Sequence, residues 1–119
     1  MVAEKLQKMM PEGMTVIIGD LPATSQNIAG IIEYNGIDST EYFGSSSGTS
    51  ILEPVVKVVV RHNSYPDGSA FVEAVKDKLH RYHDDYFLSI LLVGTPMYLG
   101  KSTEKLHEFQ VIFRIKIKE

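Results

Sequence analysis

Phe109, Val111, Phe113, Ile115 and Ile117 fall on every second residue near the end of this sequence. Gln110, Arg114, Lys116 and Lys118 stand between them, and Ile112 is the one apolar intruder. A period of two describes a strand with one buried face and one wet face. Such a strand belongs to an antiparallel sheet covered on one side. The alternation runs almost to the last residue, so the sequence is expected to close within its sheet. No catalytic motif lies on this strand or elsewhere in the sequence, so function must be read from architecture, surface and resemblance.

A length of 119 residues suits one domain, here taken as residues 1–119. A chain of this length buries roughly two-thirds of its unfolded surface, enough for one core. The sequence has no cysteine, which excludes disulfides and thiolate metal sites. That absence is compatible with a reducing cytoplasm. No apolar run approaches the ~18 residues that a membrane span requires. Glu4, Lys5 and Lys8 interrupt the N-terminal apolar residues, which argues against a secretory signal.

Charge is unevenly placed. The net charge of −3 disfavours a nucleic-acid binder. No Lys or Arg occurs between Lys8 and Lys57, while Glu12, Asp20, Glu33, Asp38, Glu41 and Glu53 fall in that interval. Residues 1–53 therefore carry −5 and residues 54–119 carry +2. A bipolar surface of this kind can steer head-to-tail association; chance composition is the plainer explanation.

Ala3 to Met10 reads as a short helix stopped by Pro11 and Gly13. Thr15–Gly19 and Ile28–Tyr34 read as strands, Asn35-Gly36 as a turn, and Ile37–Phe43 as a returning arm. Residues 44–50, all Gly, Ser or Thr, read as a loop. The valine-rich run from Val55 to Arg61 predicts a central strand covered on both faces. Ser64 or Asp67 can cap a helix that Pro66 enters, and Phe71, Val72, Val75, Leu79 and Tyr82 give that helix one apolar face, placing it at about 67–82. Tyr86–Val93 and Met97–Leu99 read as strands, and the final strand begins near Leu106. With no repeated βαβ alternation, the order predicts an α+β fold. It is a single antiparallel or mixed sheet of about four to six strands, with the main helix across it and a short N-terminal helix.

Candidate chemistry is sparse. His80, His83 and Asp84 are the one dense set of possible metal ligands. A helix C-terminus also accounts for histidines there, through the macrodipole. Asp84 and Asp85 are adjacent, so their carboxylates point apart and make a poor acid–base pair. His62 has no placed nucleophile or orienting acid. The loop 44–50 lacks the lysine and the strand–loop–helix setting of a phosphate cradle. Arg114, Lys116 and Lys118 form a basic row without aromatic interleaving, which protection of a sheet edge explains equally well. These residues predict no catalytic centre and no cofactor.

Four local patterns carry a resemblance. They are Gly19-Asp20-Leu21-Pro22 followed by Asn27-Ile28-Ala29; Val58-Val59-Val60-Arg61-His62-Asn63-Ser64-Tyr65; Pro96-Met97-Tyr98-Leu99-Gly100-Lys101; and Glu108-Phe109-Gln110-Val111-Ile112-Phe113. In these segments and in their order the chain resembles the minor capsid or tail-terminator proteins of long-tailed bacteriophages and prophages. Ser102-Thr103-Glu104 departs from an acidic pair expected after the late glycine. The resemblance implies a non-enzymatic virion protein made in the host bacterial cytoplasm. It also implies a ring of identical subunits, commonly six, that ends tail-tube growth and docks to the head-completion or connector protein. DNA would pass through its lumen without specific binding, and no membrane is involved. The lysine-free stretch 9–56 could line such a lumen.

A heterologous ring needs two unlike, complementary surfaces. Glu33, Asp38 and Glu41, with Ser45, Ser46, Ser47 and Thr49 of the loop, are the candidate assembly residues from charge and composition. Other readings are a neck or head-completion protein, a small metal-binding module at His80, His83 and Asp84, and an interaction domain that adds a partner strand at a sheet edge.

Overall fold

The computed structural model describes residues 2–22, 27–34, 51–52, 54–101 and 105–118. In chain order the elements are α1 (Val2–Met9), β1 (Thr15–Ile18), β2 (Ile28–Tyr34), β3 (Ile51–Leu52), β4 (Val55–His62), α2 (Tyr65–Leu79), β5 (Phe87–Leu92), β6 (Met97–Lys101) and β7 (His107–Lys118). The expected turn at 35–36, the arm at 37–43 and the loop at 44–50 lie outside the described residues.

One mixed sheet carries the fold, and β7 is its axis. One edge of β7 pairs antiparallel with β4 along His107–Arg114. Its register continues unbroken into β3, where Leu52 faces Ile117. Between the two, the Ile115 N–H donates to the Pro54 carbonyl at 3.0 Å. Strands β3 and β4 are thus one ribbon interrupted at Pro54, whose nitrogen carries no hydrogen to donate. Counted that way, the sheet has six strands. The other edge of β7 is shared, β6 taking its first half and β5 its second. Beyond β4 lie β2, antiparallel, and β1, parallel to β2. The parallel β1–β2 pair is what makes the sheet mixed rather than purely antiparallel.

Alternation decides which face is covered. Ala29 and Ile31 of β2, Val56, Val58 and Val60 of β4, and Phe109 to Ile117 at odd positions of β7 are buried on one face. Helix α2 lays Phe71, Val72, Val75 and Leu79 on that face, and α1 adds Val2 and Leu6 at the β1–β2 end. Each such side chain contributes about 1.5–3 kcal/mol when fully buried. The opposite face is open. Val55 and Val59 are only half-buried there, so β4 is not covered on both sides as its valine run predicts.

Helix α2 starts and stops earlier than its apolar periodicity suggests. Ser64 has extended backbone and its Oγ accepts the Asp67 N–H at 3.5 Å, with Pro66 in the first turn. His80 leaves the helix at ψ 124°, and Arg81 follows at φ 69°. Tyr82 therefore lies beyond the helix. Gly68 lets α2 approach the sheet closely, since a Cβ there would sit 2.6 Å from Cε1 of Phe109.

Candidate functional site

Residues from each of the four sequence patterns that carry the resemblance meet on the open sheet face. Arg61 of β4 is the hub. Its Nη1 donates to the Pro22 carbonyl at 2.7 Å, and its Nη2 lies 3.4 Å from Oε2 of Glu108 on β7. The Asn63 N–H donates to Oδ1 of Asn27 at 3.1 Å. Asn27 takes φ 52°, a conformation that Asn tolerates better than most residues. Around these contacts is a cleft of about 260 Å³ lined by Asp20, Leu21, Ile32, Lys57, Val59, Arg61, Leu99, Glu108 and Gln110. The connection between β1 and β2 is thereby tied to β4 and β7. Together these contacts fix a parallel crossover of only nine residues, shorter than such connections usually are.

A second region is apolar. Among the described residues, eight large hydrophobic side chains are exposed: Ile18, Tyr65, Leu88, Leu91, Val93, Met97, Tyr98 and Leu99. Six of them belong to β5, β6 and the turn between, and Tyr65 packs against Tyr98 with ring centroids 5.0 Å apart. Tyr65, Tyr98, His107 and Phe109 form an aromatic box, and Tyr98 Oη shares a 2.9 Å hydrogen bond with Nδ1 of His107. Beside the box a cleft of about 110 Å³ separates the start of α2 from β6, lined by residues that include Ser69, Val72, Pro96 and Met97. Apolar patches of this kind mark interaction sites on soluble proteins.

The backbone of β5 is shielded. The Ile90 carbonyl accepts from the Arg81 N–H at 2.7 Å, the Phe87 carbonyl from the Asp84 N–H at 2.9 Å, and the Leu92 N–H donates to Nδ1 of His80 at 3.0 Å. At the far edge Gln7 Nε2 donates to the Val16 carbonyl of β1 at 2.8 Å. Both devices blunt strand addition. No backbone partner beyond β7 is found for β6 among the described residues.

The histidine–aspartate set is placed by the turn after α2. His80 caps that helix and accepts from Leu92. His83 is exposed. Asp84 accepts three hydrogen bonds, from the Phe87 N–H at 2.7 Å, the Tyr86 N–H at 2.8 Å and the Tyr82 hydroxyl at 2.8 Å. These bonds, led by the one from Phe87, hold its carboxyl below the usual carboxylate range. No cluster of three or more metal-ligating side chains forms among the described residues. Lys5 Nζ sits 4.3 Å from the Tyr86 ring centroid and ties α1 to the same turn.

A pH prediction follows. A carboxylate with a depressed folded-state pKa stabilises the fold fully above the ordinary range and loses that contribution as pH falls through the folded value. Asp84→Asn should lower Tm at pH 7 and flatten the acid side of the Tm–pH profile. Parallel profiles for variant and wild type would exclude the role.

Of the candidate assembly residues, Glu33 lies half-buried on β2 opposite Val56. Its charge, after the larger effect of burial, helps to raise the Tyr86 hydroxyl above its usual pKa. Asp38, Glu41, Ser45, Ser46, Ser47 and Thr49 lie outside the described residues. The β5–β6 patch is not legible in the sequence, because Leu88, Leu91, Met97 and Leu99 look like core residues there. One signal was available: two apolar strands flanking Gly94-Thr95-Pro96 carry no charge between Tyr86 and Leu99.

Comparison with known proteins places this fold. A comparison with curated proteins returned no match. Among solved structures, a chain of the "Virion of native gene transfer agent (GTA) particle" superposes with a TM-score of 0.58 at 12% identity, over 96% of this chain and 84% of the other. That likeness is one of fold. A sequence profile of the family described as "Bacteriophage tail terminator protein" matches residues 2–119, and the chain accordingly belongs to the bacteriophage tail terminator family, whose members are structural proteins of the virion.

Proposed function

We propose that the chain acts by assembly and not by catalysis, forming a ring of identical subunits that ends tail-tube growth and joins tail to head. Membership of the tail terminator family over nearly the whole sequence is the observation that carries this reading. The exposed apolar β5–β6 edge and the unequal charge of the two halves of the chain agree with it, because a ring is built from two unlike surfaces that fit each other. The partners in this reading are other copies of the chain, the tail-tube protein on one side and a head-completion or connector protein on the other. DNA passes through the lumen unread. A hexamer is the ring size the family resemblance implies.

The test is assembly. Light scattering after size exclusion, over a concentration series and with purified tail tubes added, should show closed rings free or bound at tube ends. Negative-stain images should show tubes that stop growing when the protein is present. Tubes of unlimited length despite the protein would overturn the reading. Rings that bind head connectors but ignore tube ends would favour the neck-protein alternative.

A further inference from the structure

One face of α2 presents Tyr65, Ser69, Val72 and Glu73, spaced i, i+4, i+7 and i+8 along the helix. All four line the cleft of about 110 Å³ between α2 and β6. The facing wall includes Tyr98 of β6 and Phe109 of β7, which are partners in the strand register. The two walls differ in chemistry. The helix supplies oxygen acceptors, the Ser69 hydroxyl and the Glu73 carboxylate, with Val72 buried beside them. The sheet supplies aromatic rings, and Tyr65 adds a third from the helix.

The three rings are mutually inclined. Tyr65 and Tyr98 lie at 80° with centroids 5.0 Å apart, Tyr65 and Phe109 at 49° and 5.4 Å, and Tyr98 and Phe109 at 51° and 5.2 Å. Phe109 is buried, whereas Tyr65 and Tyr98 are exposed. The hydrogen bond between the Tyr98 hydroxyl and Nδ1 of His107 holds the Tyr98 ring in place. Walls fixed in advance cost an occupant little ordering.

The charge of the lining selects the occupant. Among the described residues Glu73 is the one ionised group that lines this cleft, and no Lys, Arg or His does so. Oε2 of Glu73 meets Lys76 Nζ at 2.7 Å, an exposed pair of the weakly held kind. Oε1 of Glu73 has no partner among the described residues. Aromatic faces are negative and attract cations, so rings and carboxylate act in the same direction. Pockets for drug-sized molecules run to roughly 300–1,000 Å³, so this smaller one takes a single head group. Guanidinium fits the lining best. It is flat, stacks on aromatic faces and is more weakly hydrated than an ammonium. Stacked on a ring, it keeps its rigid set of N–H donors for Ser69 and Glu73.

We propose that the cleft between α2 and β6 binds the guanidinium of an arginine carried by a different protein. Of this chain's own arginines, Arg61 is held by the Pro22 carbonyl and Glu108, and Arg114 stands on the inner strand β7 between Val55 and Leu91. That leaves Arg81 as the one arginine a second copy has to offer. The site does not depend on how subunits assemble, so it stands apart from the ring reading.

The full chain is titrated with acetyl-arginine amide, acetyl-lysine amide and acetyl-citrulline amide while the ring signals of Tyr98 and Phe109 are followed by NMR. The arginine compound should give saturable shifts. Citrulline keeps the shape and loses the charge, so it should bind roughly tenfold more weakly, with lysine between the two. Glu73→Gln and Tyr98→Leu should each weaken arginine binding several-fold. Tyr98→Phe should retain it, because the ring and not the hydroxyl makes the contact. Glu73 is exposed, so its variant reads the site even if Tyr98→Leu loses its native circular dichroism. Arg81→Gln should leave any self-association unchanged. Shifts that never saturate would overturn the proposal. So would equal binding of citrulline, which reports an apolar cleft, equal binding of lysine, which reports a site for any cation, or unchanged binding in Glu73→Gln. Self-association lost alike in Arg81→Gln and Glu73→Gln would put the arginine on a second copy and overturn its assignment to a different protein.

Discussion

Phe113→Ala is expected to destabilise the protein by about 3–5 kcal/mol. Phe113 is fully buried at the middle of β7, with Val56 of β4 on one side and Leu92 of β5 on the other. Truncation there removes a whole ring from the one strand that pairs with both halves of the sheet, and three strands cannot collapse together into the space. Stabilities of domains this size are about 5–15 kcal/mol, so the variant should be marginal. Urea denaturation should show a lower midpoint with an unchanged slope, as a loss of stability without a change in exposed area requires. A shift worth less than about 1 kcal/mol would show that β7 is not the core strand described here.

Gly30→Val is the second large effect. A Cβ at Gly30 would meet the Gly19 carbonyl oxygen at 2.7 Å and Cδ2 of Leu21 at 3.0 Å. The oxygen cannot retreat freely, because the Gly19 N–H donates to the Ile31 carbonyl at 2.9 Å and Arg61 holds the Pro22 carbonyl. Overpacking of this kind costs roughly 1–3 kcal/mol, and branching at Cβ should place valine at the upper end with alanine below it. The damage should be local. Hydrogen exchange should quicken across residues 15–22 while α2 and β7 stay protected. Uniform loss of protection would mean that the crossover is part of the global folding unit, and unchanged exchange would mean that no close approach exists.

How far the sequence reveals this fold differs from element to element. The alternation of 109–117 and the apolar stripe of α2 are legible, because each element faces a single core and its period records that fact. The early end of α2 is not. Tyr82 continues the helical stripe, but the ring of His80 is engaged by Leu92 and the hydroxyl of Tyr82 by Asp84, both choices made by tertiary neighbours. Strand β5 hides a similar choice. Its register shifts between Phe87 and Ser89, so Phe87 and Ile90 both turn inward while Leu91 turns out. Without that shift, Leu91 would share a face with Phe87. The apolar edge is therefore a product of one irregular residue and cannot be counted off by twos. Likewise Glu33 is visible as one acid in a lysine-free stretch, whereas its half-buried place opposite Val56 depends on a pairing with a distant strand.

The central place of β7 sets the order in which the sheet can close. Strands β3, β4, β5 and β6 all take their partner from it, and all of them are synthesised first. While the ribosome is still making residues 107–118, these strands have no permanent neighbour on that side. Val55 must wait for Arg114, and Tyr98 for Phe109. Pairings of such wide sequence separation place folding in the slow class, milliseconds to seconds. A nascent chain consequently has no finished cleft beside α2 until β7 is in place, because Phe109 is one of that cleft's walls.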